Sequence, residues 1–170
     1  MAVVNLGTIQ DYIDMGRLRI SDDDEPLGVA DFIEAGMLKR SPSLPGIKLL
    51  ARGKERFRSP VRMVVNRASE EAIEHAEQVG GQVTTANLNK LAMRALIRPE
   101  KFPPMMDDSG QYLLPKQARP APKMQPYYTS WKNRGYLCPQ VQMREWLREN
   151  PEYKEQFEQS LETIVEEKEE

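Results

Sequence analysis

The chain has 170 residues, a formal net charge of −2, 39% hydrophobic side chains and 29% charged ones, which suits one modest domain with solvated extensions. No apolar run approaches the ~20 residues that a bilayer crossing needs, and residues 1–6 form neither a signal peptide nor an Arg-rich transit segment, so any organelle address is expected outside this sequence. A single cysteine, Cys138, and a single histidine, His75, exclude an internal disulfide and a nitrogen–sulfur metal cluster.

The near-neutral total is the sum of two opposed segments. Residues 36–67 hold Lys39, Arg40, Lys48, Arg52, Lys54, Arg56, Arg58, Arg62 and Arg67 against one acid, Glu55. Residues 152–170 hold Glu152, Glu155, Glu158, Glu162, Glu166, Glu167, Glu169 and Glu170 against Lys154 and Lys168.

In chain order, residues 6–18 predict a short amphipathic helix, with Thr8 as N-cap, Ile9, Tyr12, Ile13 and Met15 on one face, and Gly16 as its stop. SDDDEP at 21–26 reads as an acidic turn. A second short helix carries Val29, Phe32, Ile33 and Met37, with Gly36 near its end. After the connector SPSLPG at 41–46, Ile47, Leu49, Leu50 and Ala51 predict a strand ended by Gly53, and KERFRSP at 54–60 is a basic loop.

Residues 61–86, VRMVVNRASEEAIEHAEQVGGQVTTA, predict strand, helix, strand. β-Branched Val61, Val64 and Val65 surround Met63, Ser69 caps a helix striped by Ala72, Ile73, Ala76 and Val79, and Gly80–Gly81 closes it before residues 82–85 extend again. The small Ala72 and Ala76 suit a helix laid closely on a sheet. Asn87 then caps a predicted helix with Leu88, Leu91, Ala92, Ala95 and Leu96 as its apolar stripe and Lys90, Arg94 and Arg98 off it.

From there Pro99, Pro103, Pro104, Pro115, Pro120, Pro122 and Pro126, with no sustained period, predict an extended arm. PYYTSWKNRGYLCP at 126–139 gathers Tyr127, Tyr128, Trp131 and Tyr136 around Lys132 and Arg134. Two closing helices, 141–149 and 152–165, are separated by Pro151, the second striped by Tyr153, Phe157, Leu161 and Ile164 or Val165.

Phosphate oxygens are natural partners for the cluster around 54–58, because each contact releases counterions and Arg binds an oxygen pair through its planar fork. A solvated basic loop is the alternative. The aromatic and basic residues of 126–139 suit stacking on unpaired bases with Lys132 and Arg134 on phosphates, or else an aromatic cluster packed on the domain surface. His75 lies beside Glu71 and Glu74 with no oriented partner and reads as an exposed histidine. Cys138 has no companion histidine, Asp107–Asp108 has no third ligand at fixed spacing, and Gly80–Gly81 lacks a dinucleotide or phosphate-loop fingerprint.

The order VNLGTIQDYIDMGRL, IKLLARG and VVNRASEEAIEHAEQVGGQVTT resembles the C-terminal globular domain of the large-subunit ribosomal protein fifteen family of bacteria and organelles, over residues 4–86. PYYTSWKNRGYL resembles a segment that its mitochondrial members carry after that domain. Family members have a Gly-rich basic arm before the VNL segment. Here Met1 stands almost directly before it, so the arm is expected elsewhere or the chain is a fragment.

The resemblance implies an α/β domain of irregular strand–strand–helix type at residues 1–98, followed by an extended arm at 99–126 and an aromatic, basic and helical extension at 127–170. It implies a structural constituent of the mitochondrial large ribosomal subunit, in the matrix, without catalysis, cofactor, membrane or small-molecule substrate. The expected partners are large-subunit rRNA and neighbouring mitochondrial ribosomal proteins. Arg52, Lys54, Arg56, Arg58, Arg62 and Arg67 are the expected rRNA contacts, extended by Lys90, Arg94 and Arg98. Tyr127, Tyr128, Trp131, Lys132 and Arg134 form a second expected contact. The alternative is a protein–protein adaptor using the acidic C-terminal helix and the aromatic segment.

Overall fold

A computed structural model of the chain describes residues 1–20, 25–41, 46–102 and 119–153. Most of the predicted acidic turn, connector and proline-rich arm, with Asp107 and Asp108, and the second closing helix beyond Tyr153 lie outside the described residues.

Along the chain stand β1 (Ala2–Asn5), α1 (Leu6–Asp14), α2 (Val29–Glu34), β2 (Ile47–Leu50), β3 (Arg62–Val65) and β4 (Arg67–Ala68). They are followed by α3 (Glu70–Gln78), β5 (Gln82–Thr85), α4 (Lys90–Ile97), α5 (Gln125–Thr129) and α6 (Pro139–Glu149). Single 3-10 turns occur at Lys54–Arg56, Pro99–Lys101, Trp131–Asn133 and Pro151–Tyr153.

The strands form two small parallel sheets, one in the order β1-β2-β4 and the other pairing β3 with β5. Parallel strands require crossovers and covering helices. α1 and α2 fill the crossover from β1 to β2, α3 lies within that from β3 to β5, and α4 packs on α2. This is the mixed α/β class expected from the sequence.

Period-two alternation sends Ile47, Leu49, Met63, Val65 and Val83 inward, and the helices meet them with Leu6, Ile9, Val29, Phe32, Ala72, Ile73 and Ala76. Each large side chain buried this way contributes about 1.5–3 kcal/mol. Ala72 and Ala76, both 0% exposed, let α3 lie against β5 and β2 as their size suggested.

Three local expectations are corrected. α1 begins at Leu6 with Asn5 as its N-cap, not Thr8, because Ala2–Asn5 pairs with β2 as a strand and turns directly into the helix. Ser69 does occupy the N-cap of α3, yet its hydroxyl makes no cap hydrogen bond and is buried without a partner. α4 is capped by Asn89, whose Oδ1 accepts the Ala92 N–H at 2.8 Å, not by Asn87. That later start leaves Leu91 exposed at 43% and buries Met93 and Ile97 beside Ala92 and Ala95.

The two sheets are joined at Asn66, a buried bend between β3 and β4. Its Oδ1 accepts the Ile47 N–H of β2 at 2.8 Å, so one side chain spans the seam. Gly46, at φ 106°, lies under that carboxamide, and a Cβ there would stand 2.6 Å from its carbon. Replacing Asn66 with Ala strips the buried Ile47 amide of its acceptor. Asn66→Ala is expected to lower unfolding stability by about 1–3 kcal/mol, read as a lower urea midpoint with an unchanged slope.

Candidate nucleic-acid interface

The basic loop between β2 and β3 is fixed from beneath. Gly7 and Gly53 bring the first turn of α1 so close that a Cβ on Gly7 would lie 2.9 Å from the Gly53 Cα, and the Gly7 N–H bonds the Arg52 carbonyl at 3.0 Å. Phe57 is buried at 3% exposure and anchors the loop in the core. Buried Gln10 offers Oε1 to the amides of Arg58, at 3.0 Å, and Ser59, at 3.2 Å. Its Nε2 donates to Asp14 at 2.8 Å.

On this base the expected contact residues divide. Arg56 pairs with Asp11 at 2.8 Å and Arg58 with Asp14 at 3.3 Å, both on α1. The hydrogen bond from Gln10, then the Arg58 guanidinium, hold the Asp14 carboxyl below its ordinary range. These pairs are exposed, hence weak and screened by salt. Arg52 and Lys54, also exposed, border an open groove of about 710 Å³ whose other lining groups include Asn5, Glu55, Ser69 and Glu71. Lys48 points outward from β2. Arg62 is half-buried on β3.

Arg67 is half-buried on β4, its guanidinium 5.0 Å from the centre of the Tyr127 ring. Lys90 and Arg94 are exposed on α4, while Arg98 is half-buried at its C-cap. The structure thus brings Arg52, Lys54, Arg56 and Arg58 together on one loop and leaves the α4 cations on a separate element.

The aromatic segment straps the C-terminal part of the chain onto the domain. Tyr136 N–H bonds the Thr85 carbonyl at 2.9 Å and Thr85 N–H bonds the Arg134 carbonyl at 2.9 Å, extending the β5 edge. Gly135 sits in backbone contact with Tyr128, where no Cβ fits. Arg134 grips Glu77 of α3 with two hydrogen bonds, at 2.7 and 2.6 Å, and stacks 4.0 Å from the Trp131 ring centre. Arg144 adds a contact to Glu77 at 3.6 Å, and burial pulls its guanidinium below its ordinary value. Lys132 pairs with Glu70 at 2.8 Å in solvent, which raises its ammonium.

Tyr128 therefore leaves the expected RNA-facing set. It is 1% exposed, its hydroxyl donates to the Asn66 carbonyl at 3.0 Å, and its ring meets those of Tyr127 and Tyr136 edge-on, at 5.1 and 5.7 Å. A buried ring has no face to offer a base. Tyr127 is half-buried, its hydroxyl shared between the amide and carbonyl of Ala68 at 3.2 Å each. Trp131, 40% exposed, and Lys132 remain outward.

Sequence reasoning missed Asn66 and Gln10, whose roles depend on amides distant in the chain. His75 is half-buried rather than exposed, with Nε2 lacking a hydrogen-bond partner. Cys138 is buried at the N-cap of α6. Among the described residues no group of three or more His, Cys, Asp and Glu is arranged to hold a metal ion.

Residues 3–84, from β1 through β5, match the model of a family described as ribosomal proteins 50S-L15, 50S-L18e and 60S-L27A. Over these residues, just under half of the chain, it is similar to that ribosomal-protein family. Its relatives include large ribosomal subunit protein uL15m of Neurospora crassa, 38% identical over 97 residues, or 57% of this chain and 30% of that protein. The uL15m of Danio rerio is 31% identical over 137 residues, 79% of this chain and 44% of that protein. The uL15 of a Caulobacter species is 34% identical over 94 residues, 55% of this chain and 54% of that protein. The chain therefore spans about half or less of the length of these relatives. The Danio rerio match is too long to fit within residues 3–84 and reaches beyond that domain.

The strap is expected to show in alkaline titration. Burial raises the Tyr128 phenol above its ordinary 10.0, the Arg67 guanidinium opposing it more weakly, so the folded state favours the neutral ring. Its contribution is complete below the unfolded value near pH 10 and is lost as pH rises towards the folded value. Tyr128→Phe should lower stability at neutral pH by about 0.5–1.5 kcal/mol and make the loss above pH 10 shallower, as measured by denaturant midpoints across pH.

Proposed function

We propose that this chain is a non-catalytic structural constituent of the mitochondrial large ribosomal subunit, working in the matrix, where it binds large-subunit rRNA and neighbouring ribosomal proteins. The observation that carries this reading is the family match over 3–84 together with similarity to a protein named uL15m that runs past that domain. Ordinary cofactor, substrate or membrane chemistry has no part in it. Among the described residues no helix is long and apolar enough to cross a membrane.

In this reading Arg52 and Lys54 are the leading phosphate contacts, since no carboxylate pair holds them among the described residues. Arg56 and Arg58 join once phosphate competes with Asp11 and Asp14, and Lys48, Arg62 and Arg67 lie around them. Lys90, Arg94 and Arg98 extend the surface, and Trp131, Lys132 and the outer edge of Tyr127 make the second contact. Arg134 serves chiefly to hold the strap. The chain divides into a globular part at 1–98, an arm at 99–126 and an extension at 127–170.

Binding of the full chain to large-subunit rRNA over a salt series tests the surface. Changing Arg52 and Lys54 to Ala should flatten the dependence of log K on log salt by about one unit per lost contact. Changing Arg56 and Arg58 to Ala should flatten it less, because each cation already faces a carboxylate with which phosphate must compete. An unchanged slope in the first pair rejects the loop as a contact. In density gradients of mitochondrial lysate the tagged chain should travel with the large subunit, and finding it only in ribosome-free fractions would sink the assignment.

A further inference from the structure

α6 is fastened by one face and bare on the other. Inward, Val141 is fully buried, Arg144 meets Glu77, Glu145 accepts the Thr84 hydroxyl at 3.2 Å, and Arg148 donates to Gln82 at 2.8 Å. These positions, three or four residues apart, form the helix stripe that grips the domain. On the other side Met143 and Trp146 stand one turn apart, 44% and 45% exposed. Tyr153, 44% exposed, folds back so that its ring lies 5.3 Å from that of Trp146. A single exposed apolar side chain is ordinary, whereas three that adjoin mark a surface that something covers.

The charge around the patch says what kind of partner that is. Glu149 and Glu152 beside it are exposed, and beyond Tyr153 the sequence adds Glu155, Glu158, Glu162, Glu166, Glu167, Glu169 and Glu170 against Lys154 and Lys168. The nearby guanidinium of Arg144 faces the Glu77 carboxylate, and that of Arg148 is turned to the neutral Gln82 side chain. Bases could stack on Trp146, but phosphates there would meet the carboxylates of Glu149 and Glu152, which disfavours RNA.

We propose that Met143, Trp146 and Tyr153 form a docking surface for a protein segment with an aliphatic face flanked by Lys or Arg. The aromatic rings supply rigid area, the unbranched Met143 adapts to the shape of the aliphatic face, and the acidic surround selects the basic flank. This surface is separate from the loop proposed to bind rRNA, and the inference stands without that reading.

Fluorescence of the full chain tests it. Trp131→Phe leaves Trp146 as the only tryptophan, because the chain has 2. Titration with a synthetic amphipathic Leu/Lys peptide should shift Trp146 emission to the blue with saturation, and added salt should weaken the binding. Met143→Ser should weaken it about tenfold, as expected for a lost anchor. Since Met143 is solvent-exposed, the unfolding midpoint of that variant should stay in place, which separates a lost contact from lost folding. Four outcomes would overturn the proposal. They are no shift, an equal shift with a Leu/Glu peptide, a shift produced instead by single-stranded RNA, and a blue-shifted free chain whose emission reddens on removal of residues 154–170. The last would make the chain's own tail the occupant.

Discussion

The architecture depends on a carboxamide that stands where two short sheets meet. Neither a three-stranded sheet with a two-residue third strand nor a two-stranded one is stable alone, and Asn66 ties them by lending its side chain to β2 while its backbone passes from β3 to β4. The same residue gives its carbonyl to Tyr128, so the seam between the sheets is also where the C-terminal strap is pinned. A hydrophobic side chain of similar size would fill the space but leave the Ile47 amide and the register of β2 without a partner.

Charge is distributed so that the chain answers part of its own basicity. Asp11 and Asp14 of α1 face Arg56 and Arg58, Glu77 faces Arg134 and Arg144, and Glu70 faces Lys132. What remains outward is narrower than the count of Lys and Arg suggests. On the loop, position comes from Phe57 and from Gln10, groups inside the fold that salt does not screen. The loop backbone is therefore set by the fold itself, so in the proposed rRNA contact its ordering entropy would not be lost on binding, although the exposed side chains would still have to order.

Much of this was legible because it is local. The period of 70–78 and the small Ala72 and Ala76 identify α3 and its packing without reference to any other segment. β1 and β4 were not legible, because strands of four and two residues exist only through pairing with β2. The start of α4 lies between two asparagines, either of which could cap, and only the burial of Met93 and Ile97 selects Asn89. The aromatic segment admits two readings from sequence. Packing on α3 and on Asn66 accounts for Tyr128 and Arg134, because tyrosine and arginine serve a wet interface and a dry strap equally well.

The strap's grip has a kinetic side. Tyr128 to Asn66, Arg134 to Glu77 and Arg148 to Gln82 join residues 62, 57 and 66 positions apart, so each bond closes a long loop onto a surface that must already exist. Closing loops of that length carries an entropic cost that only a formed domain surface can offset. The contacts that hold α6 and the aromatic turn are separate from those that shape the loop at Arg52–Arg58, so loss of the former would leave the latter intact.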